Sequence, residues 1–108
     1  MPGRRFEYHA GIQWTGNRGT GTSAYRAYGR DHVVRIEDKP DIAATSDPAF
    51  RGDPGRHTPE DMLVASLSSC HMLWYLHLCS EAGIVVTAYE DAAAGVMEVG
   101  TDGGGRFV

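Results

Sequence analysis

The chain opens on a two-residue rhythm. Phe6, Tyr8, Ala10, Ile12 and Trp14 alternate with Glu7, His9, Gly11 and Gln13. That alternation predicts a half-buried strand over residues 6–14. The glycine-rich stretch Thr15-Gly16-Asn17-Arg18-Gly19-Thr20-Gly21 then predicts a turn. A second strand is expected over residues 22–28, a turn at Gly29-Arg30-Asp31, and a third strand around residues 32–36. The first part of the chain therefore reads as an antiparallel meander. Residues 39–57 carry Pro40, Pro48, Pro54, Gly52 and Gly55 without periodicity and read as a long loop. Loops of that length tend to be functional or to lie on a partner.

Residues 58–83 read as one helix, punctuated at both ends. The Thr58 hydroxyl can accept from a free N–H of the first turn, and Pro59 follows where a missing N–H costs nothing. Glu60 and Asp61 place negative charge at the positive end of the dipole, and Thr58 with Asp61 has capping-box spacing. Gly83 is a natural stop, free to adopt positive φ. Met62, Leu63, Leu67, Cys70, Leu73, Trp74 and Leu78 leave little of the helix polar, so it should be buried on most sides. Ser66, Ser68, Ser69, His71 and His77 interrupt it, which argues against a membrane span. Beyond it, residues 84–89 and 95–99 read as strands. Asp102-Gly103-Gly104-Gly105 reads as a hairpin turn, leading into a strand at residues 106–108.

The pattern as a whole is α+β: a meander, a long central helix and a further hairpin. With 108 residues it is expected to form one domain, residues 1–108. The strand begun at residue 106 is shorter than usual, so a chain cut short at its C-terminal end is expected. A net charge of −4 argues against a nucleic-acid surface. No apolar leader precedes the first strand, so the expected compartment is the cytoplasm.

Chemistry centres on Cys70. A cysteine on an apolar helix is ordinarily a small core hydrophobe. Two features favour a reactive thiol instead. Small neighbours (Ser66, Ser68, Ser69) leave room above the sulfur, and His71 with several arginines could favour the thiolate. The second thiol, Cys79, lies nine residues on. At about 100° and 1.5 Å per residue it falls on the opposite face, roughly 13 Å along the axis, too far for a disulfide. Arg18 sits in a glycine turn that could aim it at a neighbour, with a solvated side chain as the alternative. Glu60 by default complements the helix dipole. Cys70 and His77 share a face, but CxxC, HxxxH and HExxH are missing, so no metal is expected. No organic cofactor is expected either. Trp74-Tyr75 is most simply a core or dimer contact.

The segment Thr58-Pro59-Glu60-Asp61-Met62-Leu63-Val64-Ala65-Ser66-Leu67-Ser68-Ser69-Cys70 resembles the central helix of the OsmC/Ohr proteins, thiol-dependent peroxidases that reduce organic hydroperoxides. Trp14-Thr15-Gly16-Asn17-Arg18-Gly19-Thr20-Gly21 is similar to that family's first hairpin, which carries an Arg. The His71-Met72-Leu73 that follows the Cys is closer to the OsmC-like branch than to the Ohr branch. The resemblance implies Cys70 as the peroxidatic thiolate, Arg18 as the cation that stabilises it and polarises the peroxide, and Glu60 as the holder of the Arg fork. Met72, Leu73 and Trp74 would form the apolar wall that favours bulky alkyl peroxides.

Helix geometry adds one condition. Glu60 lies roughly 15 Å from Cys70 along a straight axis. Glu60 can therefore serve Cys70 only across an interface, which predicts an intertwined homodimer with sites built from both chains. Family members continue into a second helix with a resolving Cys, which this sequence does not include, and Cys79 is not its counterpart. The expected partners are a hydroperoxide, an external thiol reductant and a second copy, with neither nucleic acid nor membrane. The alternative is an OsmC-fold subunit whose Cys70 is structural and whose role is binding or assembly.

Overall fold

A computed structural model of the chain describes residues 3–108. The fold is α+β, and the chain divides into two compact units, Met1–Pro59 and Glu60–Val108.

The first unit is built on a three-stranded antiparallel sheet in the order β1 (Gly11–Trp14), β2 (His32–Arg35), β3 (Ile42–Ala44). The register pairs Ile12 with Val34 and Trp14 with His32, then Val33 with Ala43 and His32 with Ala44. Only the meander's ends match the expected strands. β1 covers 11–14 rather than 6–14, because β2 ends at Arg35 and the chain turns at Asp38 (φ 65°). Residues 6–10 keep the alternating pattern, but the strand opposite them has ended. Residues 22–28 form successive turns instead of a strand, with Ser23 N–H bonded to Thr20 O and Ala27 N–H to Ala24 O.

The stretch 39–57, expected to be a loop, is more ordered than its composition suggests. It contains β3 and a 3₁₀ turn, Pro48–Phe50, whose start is capped by Asp47 accepting from Ala49 N–H at 2.8 Å. Three apolar residues between Pro40 and Ser46 are too few to display a period, so β3 left no pattern to read. The stretch is tied down after β3: Thr45 N–H donates to His57 O at 2.9 Å and His57 N–H to Ala43 O at 3.0 Å. Thr45 is fully buried, and its hydroxyl accepts from Asp53 N–H at 3.0 Å. Arg56 fastens the sheet by donating to Ala44 O (3.1 Å) and His32 O (3.2 Å).

The second unit is organised on α1, Pro59–Glu81. Its end is a Schellman-type stop: Ile84 N–H reaches Cys79 O at 2.8 Å while Gly83 takes φ 74°. The chain then doubles back along one face of the helix as an unpaired extended segment rather than the strand expected over 84–89. Three pairings hold it there. Tyr75 and Tyr89 rings lie 5.8 Å apart, His71 Nδ1 hydrogen-bonds Tyr89 OH at 3.3 Å, and Ser68 Oγ donates to Asp91 Oδ2 at 2.6 Å. The hairpin β4 (Met97–Val99) and β5 (Gly105–Phe107) follows, turned at Gly103 (φ 85°).

The expected burial of α1 is not met within one chain. Cys79 is its only buried residue. Leu67, Leu73, Trp74 and Leu78 are each about 60% exposed, which leaves a continuous apolar face uncovered. By length and composition α1 is also apolar enough to cross a membrane, a property it shares with the core helices of soluble proteins.

Candidate functional site

Cys70 sits in the middle of α1 with its thiol exposed. At about 100° per residue, Leu63, Ser66, Leu67, Leu73, Trp74 and His77 share its face. The sulfur therefore lies in an apolar stripe open to whatever approaches. One turn beyond it, Leu73, Trp74 and His77 border a shallow, open depression. The Trp74 and His77 rings meet edge to face at 5.8 Å, which fixes one wall of the depression. Leu73 and Trp74 thus share the face of α1 that carries Cys70.

Met72 does not. Two residues along a helix is about 200°, so Met72 points away from the thiol. It lines a separate cavity of about 540 Å³ beneath the returning segment, with Asp61, Ser68, Ser69, Tyr89 and Asp91. The same half-turn separates the two thiols: Cys70 is exposed, Cys79 is buried, and both are free. Cys79 has a local partner in Tyr75. The hydrogen bond to Cys79, helped by the charge Cys79 can carry, pushes the Tyr75 phenol above its ordinary value of 10.0.

Glu60 lies in the first turn of α1, where its carboxylate also faces the dipole. Its Oε2 is buried and has no hydrogen-bond partner. A carboxylate oxygen withdrawn from water without a donor is an acceptor waiting for one.

Arg18 belongs to the first unit. The turn that carries it is locally determined: Asn17 Oδ1 accepts from both Gly19 and Gly21 N–H at 3.0 Å. The turn's base is a close approach of two glycines. Gly29 N–H donates to Gly16 O at 2.8 Å, and Trp14 Nε1 donates to Gly29 O at 2.8 Å. Arg18 itself is exposed, with a terminal nitrogen resting against Gly29.

The same loop holds a residue the sequence did not single out. The Arg30 guanidinium lies over Tyr28 at 3.8 Å and Tyr25 at 4.4 Å, and Nη1 donates to Tyr28 O at 2.5 Å. Its Nη2 is buried and has no acceptor. No sequence motif announces this clamp, because it depends on how the loop folds back. His77, seven residues on, lies on the same helix face as Cys70, as its spacing gives. Among the described residues, no group of three or more His, Cys, Asp or Glu side chains is placed to hold a metal.

No family model matches the sequence, and no curated protein matches it. Among solved structures, it is similar to an OsmC-like protein of unknown function from Vibrio cholerae O1 biovar eltor. The two superpose with a TM-score of 0.79 at 26% identity, over 95% of this chain and 69% of that one. An antiparallel meander, one long helix and a later hairpin, together with this likeness, give the chain an OsmC-like fold.

Proposed function

We infer that the protein is a thiol peroxidase for organic hydroperoxides. The observation that carries this reading is Cys70, a water-reachable thiol at the centre of an apolar stripe on an OsmC-like fold. Buried structural cysteines are inert, and Cys79 is one. Cys70 has the opposite placement.

In the proposed reaction the Cys70 thiolate attacks the terminal peroxide oxygen. The S–O bond forms as the O–O bond breaks, and the departing alkoxide takes a proton from water to leave as an alcohol. The enzyme is left as a sulfenic acid. One external thiol condenses with it to a mixed disulfide, releasing water. A second external thiol frees Cys70 and departs as the oxidised disulfide. Arg18 places positive charge where the thiolate and leaving oxygen carry negative charge, and Glu60 orients the guanidinium. Leu73 and Trp74 offer the substrate's alkyl or aryl group a dry surface. A second copy covers the apolar face of α1 and completes the site, since Glu60 and Cys70 of one helix stand too far apart to cooperate.

Dimedone trapping tests the chemistry. After one equivalent of cumene hydroperoxide, the adduct should map to Cys70 alone and be missing from Cys70→Ser. Light scattering tests the assembly, and a mass equal to one chain in the reactive protein would refute the dimer.

The uncovered apolar face favours a second reading, a binding or assembly subunit whose Cys70 is structural. In that case the thiol is sealed by the partner, and iodoacetamide should label it only when the fold opens.

A further inference from the structure

His71, Tyr75 and Cys79 stand at four-residue steps on α1, so they form one row along the helix. The returning segment lays Tyr89 on that row. Tyr89 OH lies 3.3 Å from His71 Nδ1, and the Tyr89 and Tyr75 ring centroids lie 5.8 Å apart at 49°. Tyr75 is held in turn by its hydrogen bond with Cys79. The peroxide chemistry at Cys70, on another face of α1, makes no use of this row.

A phenol gives up an electron readily only when its proton leaves as well, because the protonated radical is a strong acid. A base already seated at the hydroxyl therefore selects which tyrosine is oxidised. Imidazole is such a base near neutral pH. With His71 in the tautomer that leaves Nδ1 bare, Tyr89 OH donates to it. Tyr8 is 88% exposed and Tyr25 57%, so solvent access alone would direct oxidation to them instead. Tyr89 also borders the cavity of about 540 Å³ beside α1, where Val64, Ala65, Met72 and Ala93 offer an apolar surface to an alkyl or aryl group.

We propose that Tyr89, with His71 as its proton acceptor and Tyr75 as its ring neighbour, is a one-electron donor site for alkoxyl radicals, the products of one-electron cleavage of organic hydroperoxides. The radical takes an electron from Tyr89 and a proton from water, and leaves as an alcohol. The phenolic proton passes to His71 Nδ1, and the imidazolium returns it to the hydroxide. The hole is shared between the two stacked tyrosines. A second alkoxyl radical oxidises the pair again, and the two phenoxyls join through their ortho carbons. Each of those carbons loses its hydrogen as the phenols re-form. Two radicals and two tyrosines thus become two alcohols and one dityrosine, which ties the returning segment to α1. The site goes beyond the peroxidase reading and stands without it, since Cys70 takes no part.

The test uses the full chain and its Cys70→Ser variant, with cumene hydroperoxide and a ferrous chelate as the source of alkoxyl radicals. Freeze-quenched electron paramagnetic resonance reads the tyrosyl radical, and peptide mass mapping locates the cross-link. Both proteins should give the radical and a cross-link between the peptides that carry Tyr75 and Tyr89. Tyr75→Phe should keep the radical and lose the cross-link, while Tyr89→Phe should lose both. His71→Gln keeps a polar partner for the phenol but is no base, and should lower the radical yield about tenfold or more. Slower radical formation in D₂O reads the same proton transfer without any substitution. Oxidation confined to Tyr8, Tyr25 or Met72 would overturn the site. Equal rates in the two solvents, or an undiminished yield in His71→Gln, would overturn the role of His71. A wild-type Cys70 that ignores cumene hydroperoxide without iron, beside a cross-link formed with it, would refute the peroxidase and keep this site. A sulfenic acid at Cys70 beside untouched tyrosines would do the reverse.

Discussion

Gly16 and Gly29 touch backbone to backbone. Gly29 N–H donates to Gly16 O at 2.8 Å, and a Cβ on Gly16 would overlap the Gly29 carbonyl. This contact closes the loop that carries Arg18, and Arg30 follows directly after its base. The Gly16→Ala variant meets the Gly29 backbone first and the Trp14 indole nitrogen next, and the backbone cannot be pushed aside cheaply. It should lose about 1–3 kcal/mol of stability, as overpacked sites do. Urea unfolding measures the loss, and unchanged stability would mean that the loop closes elsewhere.

The two thiols should separate cleanly by reagent. Cys70 is exposed and Cys79 is buried at 7% exposure on the other side of α1. Iodoacetamide on the native protein should label Cys70, with Cys79 labelled only after denaturation. Peptide mass mapping reads both sites in one experiment. Labelling of Cys79 at the rate of Cys70 would contradict the burial.

Tyr75 makes the pH prediction. Its hydrogen bond with Cys79 raises the phenol above 10.0, so the folded chain holds that proton more tightly than the unfolded chain. The associated stability is fully present below the unfolded tyrosine value and is lost as pH rises through the folded one. Ultraviolet difference titration, with Tyr75→Phe to identify the signal, should show a late-ionising tyrosine. In Cys79→Ala that tyrosine should titrate earlier, toward its ordinary value.

The segment returning over α1 hangs on few contacts, of which Ser68 to Asp91 at 2.6 Å is the shortest. Ser68→Ala should cost about 0.5–1.5 kcal/mol, the usual net worth of one such bond. Its clearer signature is local. Limited proteolysis within residues 84–96 should quicken, while cleavage in the first unit stays as it was.

Much of this fold was readable, for reasons that differ by element. The helix announced itself through Pro59, Glu60 and Gly83, whose preferences are set by backbone geometry rather than by tertiary context. The closing hairpin announced itself through its glycines. Residues 22–28 misled because their path is dictated by the Gly16–Gly29 contact, and close backbone approach leaves no hydrophobic period. β3 was too short to show one. Residues 6–10 and 84–89 have strand composition, but composition does not supply the neighbouring strand that pairing requires.

The site divides along the same line. Cys70 and its companions Leu73 and Trp74 follow from helical arithmetic, and the same arithmetic moves Met72 to the far side. The Tyr25–Arg30–Tyr28 clamp could not be read in advance, because its members meet only after the loop has folded.

The most direct measurement is stopped-flow reaction of the wild-type protein with cumene hydroperoxide, set beside hydrogen peroxide and beside Cys70→Ser. The account predicts a fast, single-thiol reaction with the organic peroxide, a slower one with hydrogen peroxide, and none in Cys70→Ser. Equal, slow thiol loss in wild type and mutant would contradict it.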